Sequence, residues 1–444
     1  MIGRSAPIAV QIADWAHAQS AETVPAGALH GARRLLLDRM GIAIAGHHLR
    51  PTQPATALAT LTPGSPAATI WGSGDSAFAP YAALANGCAS EQLELASGPD
   101  CVEAAVAVGE GPESSLGEVL LAIAVGAEVG AYFRSWLGEA VERNGLHPPA
   151  LLGALSSAIA AGTLLRLRVE ELAGALSGAA CLLPQAPFAS FSAGATGKVL
   201  YGGWPAMLGV WSALWAQSGT IGATTSLEGS RGIAQALLHA GQAVQPPAFQ
   251  PPAESWEVER IQFKPFPCSR SSHPALTALE TLGPLNAEAI ERIEVQTYPY
   301  AVELAQRVRG NAPIAEQMRL STTLALHVVD GRLRPGHSFT PERLADPRIR
   351  ALANRVSVST APEFETAGAR VRGARVRVVF SDGSLRLAIA REPRWGPSAL
   401  ATDVELLARH HDLIAAAPRV RRPRLDIMAS PMTTPIRAIL ARPV

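Results

Sequence analysis

Apolar side chains recur at helical spacing through most of the first 245 residues. An apolar stripe of this kind is typical of helices that bury one face against their neighbours. Only residues 68–71 alternate instead, and they predict a short strand. The predicted helices follow a first helix near the N-terminus and span residues 29–44, 116–133, 148–165, 169–179, 205–217 and 228–239.

The pattern changes after a proline-rich segment at residues 245–253. Proline lacks the backbone donor that a helix needs, so this segment predicts a semi-rigid linker. Beyond it, alternating polar and apolar residues predict strands at 290–298, 355–359 and 374–380. Asp382-Gly383 predicts a hairpin turn from the last of these into a further strand. Residues 399–417 return to helical spacing.

These patterns predict a mainly α protein with a large all-helical domain and a smaller α+β lid domain. We assign residues 1–258 and 401–444 to the helical domain, and residues 259–400 to the lid. A chain of 444 residues is long enough for two or three domains and a large core.

Composition narrows the class of protein. Hydrophobic residues make up 48% of the chain and charged residues 17%. The most apolar runs, 119–129 and 150–165, are shorter than the ~20 residues of a membrane span, so we expect no membrane partner. Four cysteines without CxxC spacing favour a reduced, cytoplasmic protein. The arginines at 419–424 lack interleaved aromatics, so we expect a solvated face or subunit contact and no nucleic-acid partner.

Lysine is almost absent from this chain. Of the 38 Lys and Arg residues, only Lys198 and Lys264 are lysines. Arginine does not lose its proton in proteins, whereas burial can lower the pKa of a lysine until it acts as an acid or base. The two lysines are therefore candidate site residues, against the alternative that chance retained them in an arginine-rich chain.

The segment from Lys264 to His273, KPFPCSRSSH, holds the densest set of polar groups. Its prolines stiffen the chain. Arg270 offers a bidentate fork for a carboxylate, while Lys264 and His273 offer protons or point charge, with Ser269 between them. The alternative is a hinge between domains with solvated cations. Signatures of dinucleotide enzymes, P-loop NTPases, zincins and α/β-hydrolases are absent from the sequence.

Three more segments carry candidate residues. His147 precedes Pro148 at a predicted helix start, where the positive helix end favours a neutral imidazole, either as a site residue or as a local cap. Lys198 and Tyr201 flank the start of the helix that contains Pro205, where an exposed lysine is the alternative. Glu91 and Glu94 are three residues apart, so we expect them to share a helix face and a proton, or to form a solvated face.

In this order and spacing, the segments resemble the MmgE/PrpD family over essentially the whole chain. No single motif is decisive. The matching segments are 32–38, 41–46, 85–87, 145–148, 197–198, 227–232, 264–268 and 273–275.

The resemblance implies a helical domain with an α+β lid, a homodimer, and an active site in the cleft that uses no metal or organic cofactor. It implies active-site positions at Glu94, His147, Lys198, Lys264 and Ser269. Arg270 and His273 belong to the same segment as Lys264 and Ser269.

The chain also departs from the family pattern. Glu94 stands for an Asp and Gly98 for a Thr. Glu103 or Ala104 stands where a His falls, and Leu324 where a Tyr falls. One acid/base group and one hydroxyl donor are therefore expected to be missing.

We interpret the chain as a cofactor-independent lyase, dehydratase-like or decarboxylase-like, that abstracts a proton α to a carboxylate of a small di- or tricarboxylate. In this hypothesis His147, Lys198, Lys264 and Glu94 are catalytic, and Arg270, His273, Ser269 and Tyr201 bind substrate. His147 and Lys198 form the acid/base pair. The alternatives are an epimerase of a dicarboxylate such as iminodisuccinate, and a non-catalytic binding protein on the same fold.

Overall fold

The computed structural model describes residues 6–49, 53–61, 67–99, 101–220, 222–239, 244–252, 254–310, 312–364, 372–417 and 426–440. Asp100, Ala253 and the arginines at 419–424 lie outside these ranges. The prediction of a mainly α chain with a larger helical and a smaller α+β part is confirmed.

The N-terminal part folds as a succession of helices around one apolar core. They are α1 Ile8–His17, α2 Ala26–Leu49, α3 Gln53–Thr60, α4 Ala79–Glu91, α5 Cys101–Gly109, α6 Leu116–Arg143, α7 Pro148–Leu164, α8 Val169–Cys181, α9 Phe188–Ser192, α10 Leu200–Gln217 and α11 Ile233–Leu238. Between α3 and α4, β1 (Ala67–Thr69) pairs antiparallel with β2 (Ser76–Phe78).

Helices α6 and α11 differ clearly from their predicted bounds. Helix α6 runs ten residues beyond the predicted end at Phe133. It is the one described helix long and apolar enough to span a membrane, and 78% of its most apolar window is buried inside the fold. Helix α11 is shorter than predicted, because residues before Ile233 form turns in which the backbone N–H of Gly232 donates to Gly229 at 2.8 Å.

The α+β part has its own apolar core and a four-stranded sheet. Its strands are β3 Ile290–Thr297, β4 Val356–Thr360, β5 Ala374–Phe380 and β6 Leu385–Ala390. Their order is β4-β3-β5-β6, with β3 and β4 parallel and the other pairs antiparallel. The helices are α12 His273–Thr281, α13 Pro299–Arg307, α14 Pro313–Met318, α15 Leu320–Asp330, α16 Pro341–Ala345 and α17 Pro347–Ala353.

The C-terminal segment returns to the helical core. Helix α18 (Asp403–Ala415) packs on α2, and Ile436 and Ile439 of α19 (Ile436–Leu440) are buried in the same core. The division at residues 258 and 400 stays a prediction. Ile261, Phe263 and Trp395, which the predicted boundaries place in the lid, pack in the helical core.

The proline-rich segment is held against the helical core along its described part. Phe249 packs on Trp15 with ring centroids 5.1 Å apart, and the Tyr132 hydroxyl donates to Pro247 at 2.8 Å. The described part of the segment is therefore a non-helical strap with fixed contacts, which the composition of a semi-rigid linker did not indicate.

Candidate active site

The only two lysines of the chain bind one buried carboxylate. Lys198 Nζ donates to Oε2 of Glu94 and, at 2.7 Å, to Oε2 of Glu91. Lys264 Nζ donates to the other Glu94 oxygen at 2.9 Å and to the Glu94 backbone carbonyl at 3.0 Å. We call Glu91, Glu94, Lys198 and Lys264 the lysine–glutamate cluster. Neither ammonium points to solvent, since Lys198 is 2% and Lys264 is 8% exposed.

Glu94 reaches both lysines because the chain turns sharply after α4. The helix ends at Glu91, and Glu94 adopts a left-handed backbone with φ of 53°. This conformation costs a residue other than glycine free energy and persists only where surrounding contacts hold it. The expectation that the two glutamates share a helix face is wrong. The turn aims both carboxylates at Lys198 instead.

Close contact between helices brings Lys198 to this turn. Lys198 lies in a short 3-10 turn that leads into α10, and α10 packs on α4. A Cβ atom on Gly203 would lie 2.4 Å from the carbonyl oxygen of Leu84, so only glycine permits the observed approach. Pro205 stands inside α10, one turn after its start, rather than at its beginning as predicted.

The cluster gives its two lysines different electrostatic surroundings. Burial acts to lower the pKa of Lys198, but Glu91 and Glu94 outweigh it and raise that pKa above the ordinary value. Burial lowers the pKa of Lys264. Attraction to Glu94 raises it in part, but repulsion from Lys198 and Arg270 lowers it further, so the pKa stays below its ordinary value. The expected lowering of a lysine pKa therefore holds for Lys264 and is wrong for Lys198.

The two glutamates are ionised and do not share a proton. Burial alone would raise the pKa of Glu94, but attraction to Lys198 and Lys264 holds it well below its usual range. The same balance with Lys198 lowers the pKa of Glu91. With two carboxylates and two ammonium groups, the cluster is close to neutral overall.

His147 caps α7 as predicted. Its Nδ1 accepts from the backbone N–H of Ala150 at 3.4 Å, which leaves the proton of the neutral ring on Nε2. Burial, and then the charge of Lys198, lowers the pKa of His147 to about 4. The ring lies 5.3 Å from that of Tyr201, whose hydroxyl donates to the Pro187 carbonyl. The Tyr201 proton is thus already engaged.

Arg270 begins the short 3-10 turn Arg270–Ser272, directly before α12. Its Nη2 donates to Ser97 Oγ at 3.2 Å and to the Gln262 carbonyl at 3.0 Å. Burial, followed by repulsion from Arg372, lowers its pKa to about 10, so it stays charged at neutral pH. Residues 92–98 therefore touch both the lysines, through Glu94, and Arg270, through Ser97.

Ser269 and His273 are held by contacts within the lid. Ser269 Oγ lies 2.8 Å from Ser271 Oγ. His273 is fully buried, with Nε2 3.2 Å from the Cys268 carbonyl and its ring edge-on to Phe266. Burial lowers the pKa of His273 well below its usual value. The structure thus groups Glu94, His147, Lys198, Lys264 and Arg270, and it buries His273 within electrostatic range of Arg270, Lys264 and Glu94.

The departures from the family pattern are built into the packing. Gly98 has φ of 78°, and a Cβ there would lie 3.1 Å from Leu35, so a threonine would be strained and crowded. Glu103 forms a buried ion pair with Arg39 at 2.8 Å and accepts from Ser90 at 2.7 Å. Leu324 is fully buried in the lid core.

Sequence reasoning missed two features near this site. It did not find the buried Arg39–Glu103 pair, although an arginine within the apolar run of α2 was a visible signal. It also did not single out Tyr298, whose buried hydroxyl has no hydrogen-bond partner among the described residues. No group of three His, Cys, Asp or Glu side chains in the described ranges is placed to hold a metal ion.

Comparison with known proteins gives a consistent picture. Models of the MmgE/PrpD N-terminal domain and C-terminal domain match residues 10–245 and 266–422. A cis-aconitate decarboxylase from Aspergillus terreus is 26% identical over 407 residues, covering 84% of this chain and 82% of the relative. A human cis-aconitate decarboxylase is 29% identical over 261 residues, covering 54% of this chain and 52% of the relative.

Proposed function

Because this chain belongs to the MmgE/PrpD family, we propose that it is a lyase that moves a proton at the carbon next to a carboxylate of a small di- or tricarboxylate. The observation that carries this proposal is the pairing of two lysines on Glu94 with opposite changes in pKa. Named relatives that are cis-aconitate decarboxylases support the substrate class.

Each lysine takes a separate role. Lys198, held by two carboxylates, stays protonated and acts as a fixed positive charge. Lys264, whose pKa is lowered, more readily gives up a proton and therefore exchanges it with substrate. This differs from the sequence-based hypothesis, in which His147 and Lys198 were the acid/base pair. In this proposal His147 stays neutral, and the proton on its Nε2 is donated in a hydrogen bond to the substrate.

The proposed step proceeds as follows for an elimination. The Lys264 amine takes the proton from the α-carbon, and the electron pair of that C–H bond moves into the adjacent carboxylate. Lys198 and Arg270 stabilise the added negative charge, which is greatest in the transition state. The bond to the β-leaving group then breaks as a C=C bond forms, and Lys264 returns the proton to the leaving oxygen.

A decarboxylation uses the same groups in a different order. The bond to the departing carboxylate breaks first, and its electron pair stays on the carbon and is delocalised into a neighbouring carboxylate. The Lys264 ammonium then protonates that carbon. A homodimeric state, a cytoplasmic location and independence of cofactors stay predictions.

Proton NMR in D2O tests the proposal. Wild-type protein is incubated with cis-aconitate and with tricarballylate, a saturated tricarboxylate that has no leaving hydroxyl. We expect the proton signals of a new alkene product from a true substrate, and exchange of the α-hydrogen for deuterium in tricarballylate.

Two other outcomes support the alternatives. Interconversion of the stereoisomers of iminodisuccinate, added as a chiral probe, together with α-hydrogen exchange and no elimination product, supports an epimerase. Binding of several polycarboxylates with neither exchange nor turnover supports a non-catalytic binding protein and overturns the lyase proposal.

A further inference from the structure

Tyr298 presents a buried hydroxyl with no partner. It follows β3 directly and is the residue before Pro299, which opens α13. The side chain packs with Ala301, Ala361 and Phe364 and is 7% exposed. Its hydroxyl forms no hydrogen bond with any described residue. A buried polar group in this state costs free energy unless water or a ligand completes it.

Two arginines lie near this hydroxyl, one because of strand pairing and the other because of a helix contact. In the β3–β5 ladder, Thr297 lies opposite Ala374, and Thr297 Oγ1 also donates to the Gly373 carbonyl at 2.8 Å. Arg372, next in the chain, is therefore held beside the start of α13. On the other side, α13 packs against the 3-10 turn Arg270–Ser272, which places Arg270 near Tyr298.

Electrostatics agrees with this placement. Burial raises the pKa of Tyr298, while Arg372 and Arg270 oppose the rise, so both guanidinium groups lie within electrostatic range of the phenol. The phenol keeps its proton at neutral pH. Its hydroxyl can therefore donate one hydrogen bond and accept others through its lone pairs.

Neither arginine has a carboxylate of its own in the part of the chain that the structure describes. Glu94 attracts Arg270 from a distance, but it is already paired with both lysines. Among the described residues, no carboxylate forms an ion pair with Arg270 or Arg372. Arg134 of α6 also repels Arg270, so it adds positive charge to the same region. A region that gathers guanidinium groups and a phenol O–H, with no described carboxylate in direct contact with either arginine, suits a ligand with several acceptor oxygens and negative charge.

We infer that Tyr298, Arg270 and Arg372 form a second carboxylate subsite, which holds the carboxylate of a di- or tricarboxylate remote from the reacting carbon. We call it the arginine–tyrosine subsite. The inference rests on the proposed function, because it names how that site selects substrates with more than one carboxylate. Tyr298 then provides a hydroxyl donor in a chain that has a buried leucine, Leu324, where the family pattern has a tyrosine.

The test compares two ligands and two variants with matched controls. Succinate carries two carboxylates, and succinamate replaces one of them by a neutral amide of nearly the same shape. Dissociation constants for both are measured by calorimetry on wild type, Tyr298→Phe and Arg372→Gln. The controls are Tyr81→Phe, which removes a hydroxyl beside Phe78 and Trp211, and Arg332→Gln, which removes an exposed arginine.

We expect Tyr298→Phe and Arg372→Gln each to weaken succinate binding about 10-fold, as for a lost hydrogen bond to a charged group. Succinamate binding and both control variants should change less than about 2-fold, within the usual effect of surface substitutions. Circular dichroism confirms that each variant is folded. Only the loss for Arg372→Gln should shrink strongly with added salt, because that residue is exposed.

Three results would overturn the inference. If wild type binds none of succinate, tricarballylate and cis-aconitate, the proposed function and the subsite fail together. If wild type binds and turns over a polycarboxylate while Tyr298→Phe and Arg372→Gln bind like wild type, the proposed function stands and the subsite does not. Equal losses for succinate and succinamate would assign Tyr298 a structural role, completed by water alone.

Discussion

The lysine–glutamate cluster and the arginine–tyrosine subsite are joined by residues 92–98, yet they balance charge in opposite ways. In the cluster, two carboxylates of the protein match two ammonium groups. At the subsite, described carboxylates pair with neither arginine. The difference suggests a division of labour, since a cation already paired with protein can tune proton transfer, whereas an unpaired one can bind an anion from outside.

The largest expected effect tests the cluster's two lysines against each other. Lys264→Arg keeps the charge but cannot release a proton, so α-hydrogen exchange should fall by ~10²–10⁴-fold. Lys198→Arg is the matched change and should cost less, because a fixed charge is all that this position supplies. NMR exchange rates in D2O measure both, and a greater loss for Lys198→Arg would reverse the assigned roles.

Next in size is the effect of Glu94→Gln on stability. Removing this carboxylate leaves Lys264 buried without an opposite charge, so the free energy of unfolding should fall by about 3 kcal/mol. Urea titration at neutral pH measures it. The control is Glu139→Gln, since Glu139 is 84% exposed and pairs with Arg143, and such surface pairs contribute about 0–1 kcal/mol.

The difference in unfolding free energy between wild type and Glu94→Gln should also depend on pH. The folded pKa of Glu94 lies below its ordinary 4.5, so its contribution to stability is complete above pH 4.5 and is lost as pH falls towards the folded pKa. The gap in unfolding free energy between wild type and Glu94→Gln should therefore be constant near neutrality and narrow below pH 4.5. A gap that stays unchanged in acid would show that the carboxylate is not the source of the difference.

A smaller effect is expected at the arginine–tyrosine subsite. Arg270→Lys keeps a positive charge but removes the fork that can hold two carboxylate oxygens. Binding of tricarballylate should weaken about 10-fold, as for the loss of a charge-assisted hydrogen bond. Exchange at saturating ligand should fall much less than in Lys264→Arg. Unchanged binding would remove Arg270 from substrate recognition.

The smallest effect is expected in residues 92–98, the loop that contacts both regions. Gly98→Ala places a side chain at φ of 78° and 3.1 Å from Leu35, so it should destabilise the fold by roughly 1–2 kcal/mol. Because the loop carries Glu94 and Ser97, both ligand binding and exchange should weaken. Gly283→Ala, also at positive φ but with open space around its Cβ, is the control for backbone strain alone.

Periodic elements were predictable, and the residues between them were not. Helix α7 and strand β5 match their predicted bounds closely, because burial of one face imposes a period on the sequence. The left-handed turn at Glu94 leaves no such signal, since a glutamate at positive φ is set by its partners. The role of Tyr298 depends on strand register and on a residue 74 positions away, which one sequence does not display.

Arg409 of α18 sets the order in which the site can be completed. Its guanidinium donates to the Lys264 carbonyl and to Asp38 of α2, which lies 371 positions earlier. A ribosome adding about 5–20 residues each second needs on the order of 20–70 s to make that intervening chain. Helix α2 therefore leaves the ribosome long before the residue that ties it to Lys264 exists. In a newly made chain, Lys264, the proposed proton-exchange residue, is among the last groups to be fixed in place.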